Sequence, residues 1–133
     1  MTAQTVYDAI RNTASDYPER ALLHTVAETA ETYGIRAGDI TYSQFIERAD
    51  QIADELKQNG YDAQMRVAVL LENRPDFFVI FAALNKIGAS IVPINPDLRA
   101  AELEYLFDHA SPALIISTQT RYADLNAASQ KCG

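Results

Sequence analysis

The stretch RVAVLLENRPDFFVIFAALNKIGASIVPINPDLRAAELEYLFDHASPALIIS, residues 66–117, holds three short apolar runs separated by two helical segments. Val67–Leu71 is continuously apolar, the pattern of a strand covered on both faces, and parallel strands are the usual case of it. Pro75 opens a helix over Asp76–Ile87 that is apolar nearly all round and closed by Gly88, so it is expected to be buried between layers. Ser90–Ile94 reads as the second strand. Pro93 cannot donate to a ladder, which places it at the strand's end or at an unpaired position. After Asn95-Pro96, the residues Leu103, Leu106, Phe107 and Ala110 recur at helical spacing and predict an amphipathic helix ending before Pro112. Ala113–Ser117 is the third strand. Val67 to Ser90 and Ser90 to Ala113 are each 23 residues, a strand plus a crossover helix. The expected fold is therefore α/β, a three-stranded parallel βαβαβ layer with flanking helices and right-handed crossovers.

Upstream, Val6, Ala9, Ile10, Ala14 and Tyr17 share one face of a first helix over residues 4–17, with Thr5 as cap and Pro18 just beyond. Ala21–Ala27 and Asp39–Tyr42 read as an antiparallel hairpin joined by a polar connection, Glu28–Gly38. In Ser43–Asn59 the apolar positions Phe45, Ile46, Ala49, Ile52, Ala53 and Leu56 repeat at three and four. Thr41 with Gln44 forms a capping box, or Ser43 caps directly, and Gly60 ends the helix. Downstream, Tyr122–Ala128 can form one more helix and no further strand follows. The edges of the sheet are then uncovered, which points to a segment of a larger protein.

Composition narrows the function classes. Hydrophobic residues make up 48% and charged residues 22%, so the chain should fold. The formal charge of −7 without clustered Lys and Arg argues against nucleic acid or an anionic membrane as partner. The longest nearly apolar run, Phe77–Leu84, is far too short to span a bilayer, and no leader is recognised at the start. Cys132, the one cysteine, permits neither an internal disulfide nor a thiolate metal cluster, and a cytoplasmic location is expected.

Candidate chemistry is sparse. The five glycines stand apart, so no phosphate-cradling loop is present. His24 in a strand and His109 near a helix end have no zinc-like spacing; His109 is read as a helix-terminal cation. Glu102 and Glu104, two apart, point to different helix faces and do not make a carboxylate pair. Phe77, Phe78 and Phe81 are expected in the core.

The run ITYSQFIERADQIADELKQNG, residues 40–60, followed by residues 66–117, resembles the N-terminal region of the adenylate-forming (AMP-binding) superfamily. That superfamily comprises acyl-CoA synthetases, luciferases and nonribosomal peptide adenylation domains. The resemblance covers about residues 39–118. Thr41-Tyr42 before an amphipathic helix is similar to the first core motif, and LNKIGASIVPINP, Leu84–Pro96, to the second. Asn95, where peptide-activating relatives often carry Asp, favours an acyl-CoA synthetase of the fatty-acid–CoA ligase type.

The resemblance implies that residues 1–133 are a partial N-terminal domain. The parent would activate a carboxylic acid with ATP and Mg²⁺ and pass the acyl group to CoA. It also implies that the glycine-rich loop and lysine for that chemistry lie elsewhere in the parent, so this chain alone is expected to be inactive, binds no cofactor by itself and carries no catalytic residue. In some relatives a basic residue just after Asn-Pro approaches the CoA nucleotide. Here that place holds Asp97, and Arg99 is the nearest cation, which makes Arg99 the one cofactor-binding candidate. The implied partners are the rest of the parent, its acid substrate and CoA. Exposed apolar surface would favour a homo-oligomer of the segment. The alternatives are a stand-alone α/β binding or oligomerisation module, or a segment of an amino-acid-adenylating or luciferase-like enzyme.

Overall fold

The computed structural model describes residues 5–131. Cys132 lies outside them. The first helix, α1 (Val6–Asp16), starts at Thr5, whose Oγ1 accepts from the Asp8 N–H at 3.0 Å. It docks through Tyr7, 3% exposed, while Val6 is 51% exposed. Ile10 of the expected face packs on the same cluster and Ala14 is half-buried, so the face is kept in part and shifted toward Tyr7. The tyrosine wins the inward position because its hydroxyl has a partner between the helices it meets and its ring packs with Phe45, Ala49, Val79 and Ala82.

Strand β1 (Ala21–Thr25) and strand β2 (Gly38–Thr41) pair antiparallel as expected, with His24 opposite Asp39 and an irregularity between Ala21 and Leu23. The expected polar connection between them, Glu28–Gly38, has regular structure that the sequence reading does not include. It contains helix α2 (Ala27–Tyr33), ended by Gly34 in the left-handed region at φ 65°. Ala30 is buried, and α2 has tertiary support that a seven-residue helix needs, since short helices are marginal by themselves.

Helix α3 (Tyr42–Gln58) begins with the expected capping box: the Gln44 N–H donates to Thr41 Oγ1 at 3.1 Å, and the Thr41 N–H donates to Gln44 Oε1 at 3.0 Å. Two further N–H groups of its first turn, on Tyr42 and Ser43, are satisfied by the carbonyls of Arg20 and Pro18. The start of α3 is therefore held by the chain leading into β1.

The second sheet is parallel, with strands β3 (Arg66–Leu70), β4 (Ser90–Pro93) and β5 (Leu114–Ser117) in the spatial order β4-β3-β5. Helix α4 (Pro75–Ile87) connects β3 to β4, and helix α5 (Ala100–Ala110) connects β4 to β5. Pro75 occupies the first turn of α4, where its missing N–H costs nothing, and Gly88 at φ 79° closes it. Pro93 stands at the last position of β4; the next residue, Ile94, donates its N–H to Val69 O at 2.9 Å. A 3₁₀ turn, Gln119–Arg121, leads into helix α6 (Tyr122–Lys131).

Alternation along β3 divides the core. Val67, Val69 and Leu71 pack with Ala53 and Leu56 of α3 and with Ala83, Leu84 and Ile87 of α4. Ala68 and Leu70 pack with Leu103 and Phe107 of α5 and with Leu125 and Ala128 of α6. Each face of the sheet is covered by two helices, which is why the strand reads as unbroken apolar sequence. The aromatic trio of α4 is not core in the sense expected. Phe77 and Phe81 are half-buried and Phe78 is 42% exposed; the small residues Ala82 and Ala83 take the close helix contacts instead. The outer strand β5 is half-buried throughout, and Tyr122 just beyond it is exposed.

Candidate functional site

Because β3, β4 and β5 run parallel, their carboxyl ends share one edge of the sheet. The chain order reverses across β3, and in open α/β sheets ligands bind outside the carboxyl ends at such a reversal. Three loops meet that edge: Leu71–Arg74, Ile94–Arg99 and Thr118–Arg121.

Two half-buried arginines hold these loops. The Arg74 guanidinium donates to the Tyr33 carbonyl at 3.2 Å and lies 5.2 Å from the Tyr33 ring centroid, tying the β3–α4 loop to α2. Its Nε faces Glu72 Oε2 at 3.6 Å. The Arg121 guanidinium donates to the carbonyls of Pro96 and, at 2.6 Å, Leu98, so the β5–α6 corner clamps the Asn95-Pro96 loop. That loop is also closed on itself: Asn95 Oδ1 accepts from the Asp97 N–H at 2.9 Å and the Asn95 carbonyl from the Leu98 N–H at 3.1 Å. This is the Asx turn that an Asn-Pro sequence favours. Neither clamp has a local sequence signature, because the acceptors are main-chain carbonyls far along the chain.

Arg99 stands at the outer end of this turn, as the residue before α5, and is exposed. Its N–H donates to Glu102 Oε2 at 3.2 Å, so Glu102 serves as a helix cap. Nothing engages its guanidinium among the described residues.

The titratable groups pulled from their ordinary values lie elsewhere. Tyr7, Asp50 and Lys86 meet between α1, α3 and α4: the Tyr7 hydroxyl donates to Asp50 Oδ1 at 2.5 Å, and Lys86 Nζ donates to the same oxygen at 2.9 Å. Burial pushes the Tyr7 hydroxyl up, helped by the neighbouring carboxylate. Burial raises the Asp50 carboxyl, but the hydrogen bonds from Tyr7 and Lys86 outweigh it and hold the group below the usual range. The hydrogen bond to Asp50 raises Lys86. All three groups serve one another, and the trio joins three helices. We therefore read it as structural, as ion-pair networks with shifted groups often are. The available sequence signal for Asp50 is its nearness to Ala49 and Ala53 in the buried arc of α3.

The other candidates resolve simply. His24 Nδ1 lies 2.6 Å from Asp39 Oδ1 on the outer face of the two-stranded sheet, and His109 stacks on Tyr105 at a centroid distance of 6.0 Å in the last turn of α5. Among the described residues no three His, Cys, Asp or Glu side chains converge to hold a metal ion. None of their helices is long and apolar enough to cross a membrane.

A parallel sheet with this strand order, an Asn-Pro turn at its carboxyl edge and a capped helix ahead of it is the opening of an adenylate-forming enzyme fold. The chain belongs to the AMP-binding enzyme family, which matches residues 10–132. Malpinin synthetase of Mortierella alpina is 28% identical over 121 residues, and the polyketide synthase-nonribosomal peptide synthetase ffsA of Aspergillus flavipes is 32% identical over 124. Each alignment takes in 86% of this chain, and 2% and 3% of those proteins respectively. A Mycobacterium tuberculosis fatty acyl CoA synthetase superposes with a TM-score of 0.78 at 25% identity, over 92% of this chain and 23% of its own. The chain thus spans a small part of the proteins it matches.

Proposed function

We propose that this chain is the N-terminal segment of an AMP-forming acyl-CoA synthetase, in which a carboxylic acid, of the fatty-acid type, is activated with ATP and transferred to CoA. The observation that carries the reading is the clamped Asn95-Pro96 turn at the carboxyl edge of the parallel sheet, within a chain that matches the AMP-binding family along most of its length. Its role here is positional. Arg74 and Arg121 fix the loops at that edge, and Arg99 offers an exposed cation for a CoA phosphate.

The described residues do not suit ATP with Mg²⁺: they hold no carboxylate cluster, and their glycines with positive φ, at 34, 38, 60 and 88, stand apart rather than forming a loop. No step is derived through those groups, and their binding is assigned to other parts of the parent. The half-covered β5 and exposed Tyr122 support a setting in which more of the enzyme packs against that side. A cytoplasmic location agrees with the use of a single cysteine.

A second reading, an amino-acid-adenylating parent, is favoured by the peptide synthetases among the relatives. The test is ATP–pyrophosphate exchange by the enzyme extended through its full reading frame, with fatty acids and amino acids as alternative substrates, and CoA thioester formation as second readout. Exchange with fatty acids and thioester formation are expected from the extended enzyme, and neither from this chain alone. Exchange restricted to amino acids, or robust exchange by these 133 residues, would overturn the proposal.

A further inference from the structure

A cavity of about 320 Å³ lies between the Ile35–Ile40 segment, α3 and the start of α4, and two arginines, Arg36 and Arg48, line it. Neither guanidinium has a hydrogen-bond or ion-pair partner among the described residues. Arg66, Arg74 and Arg121 differ: Arg66 donates to the Ala110 carbonyl, and Arg74 and Arg121 make the loop clamps, while Arg20 lies over the Tyr17 ring. Two carboxylates, Asp39 and Asp76, line the same cavity. Asp39 is engaged by His24 at 2.6 Å, and Asp76 sits in the first turn of α4, where the helix dipole favours its charge. Gln44 also lines the cavity. Its Oε1 accepts from Thr41, which leaves its amide N–H₂ as a donor.

We propose that this cavity binds a small phosphate-bearing anion between Arg36 and Arg48. Planar guanidinium forks match phosphate oxygens two at a time, and two of them around one pocket suit a dianion better than a single carboxylate. Ile35, Ile40 and Pro75 supply an apolar wall for the body of the molecule. Arg99 does not line this cavity, so the site is separate from the edge assigned to CoA above and does not depend on that assignment.

Pyrophosphate and glycerol 3-phosphate are suitable probes, titrated calorimetrically into this chain at constant ionic strength. Saturable binding is expected, weakened at least about tenfold in the double variant Arg36→Gln/Arg48→Gln, less in Arg48→Lys, and unchanged in Arg99→Gln. Both arginines are exposed, so the variants should keep the parent's melting temperature. Absence of saturable binding up to about 1 mM probe, or binding that survives the double substitution, would overturn the site. Loss of binding in Arg99→Gln alone would do the same by moving the anion to the other edge.

Discussion

The Tyr7 hydroxyl and the Asp50 carboxylate meet at 2.5 Å across 43 positions of sequence, and Lys86 closes on the same oxygen from α4. The Tyr7 N–H also donates to Asn85 Oδ1 at 2.8 Å, so this one residue ties α1 to both α3 and α4. Tyr7→Phe keeps the ring and removes the hydroxyl, leaving Asp50 still paired with Lys86. A loss of about 1 kcal/mol in urea denaturation is expected. Tyr7→Ala also empties the space between α1, α3 and α4 and should cost about 3 kcal/mol or more.

The same trio sets a pH dependence. Asp50 is depressed in the folded state, so its contribution is complete above the ordinary carboxyl value of 3.8 and is lost as the pH falls from there through the lower folded value. Lys86 and Tyr7 are raised, so theirs is complete below 10.5 and 10.0 and is lost as the pH rises through the higher folded values. Both Asp50 and Lys86 side chains are more than a third exposed, so solvent screening keeps the effect small. Thermal unfolding of Asp50→Asn should show shallower acid and alkaline limbs than the parent; unchanged limbs would assign the dependence to other groups.

Gly88 and Gly34 both hold left-handed backbone, yet their surroundings differ. A Cβ at Gly88 would lie 3.2 Å from Ala63 Cβ, whereas one at Gly34 meets open space. Gly34→Ala should cost about 1 to 2 kcal/mol from backbone conformation alone. Gly88→Ala should cost more, because the 61–65 loop must also shift. Equal melting temperatures for the two variants would show that the loop yields freely.

Arg121 tests the loop clamp. Arg121→Lys keeps the charge but not the fork that spans the carbonyls of Pro96 and Leu98. Hydrogen exchange of the Asp97 and Leu98 amides should quicken by about tenfold, the effect of about 1.4 kcal/mol, while the amides of β3 keep their protection.

Much of the parallel layer was legible because its determinants are local. Continuous apolar runs, Pro75, Gly88 and the Thr41–Gln44 pair each state their structural role within a few residues. Helix α2 was missed because seven residues carry little helical signal, and its anchor, Arg74, lies 41 positions from its acceptor. Periodicity puts Val6 and Phe78 in the core, yet both are exposed, since it identifies an apolar arc without saying which of its members faces inward. The order β4-β3-β5 was equally out of reach, being a matter of which partner each strand finds. The turn at Asn95 could be read from the Asn-Pro pair and Arg99 placed at its end, but the clamp by Arg121 could not.

The central position of β3 orders events during synthesis. It leaves the ribosome before either neighbour, and Leu114, the partner of Val67, follows 47 positions later. At about 5–20 residues per second, the edge of that apolar ribbon that meets β5 waits for several seconds, while β4 reaches the other edge sooner. Until β5 arrives, RVAVLL keeps one strand edge open in the nascent chain, a natural holding point for a chaperone.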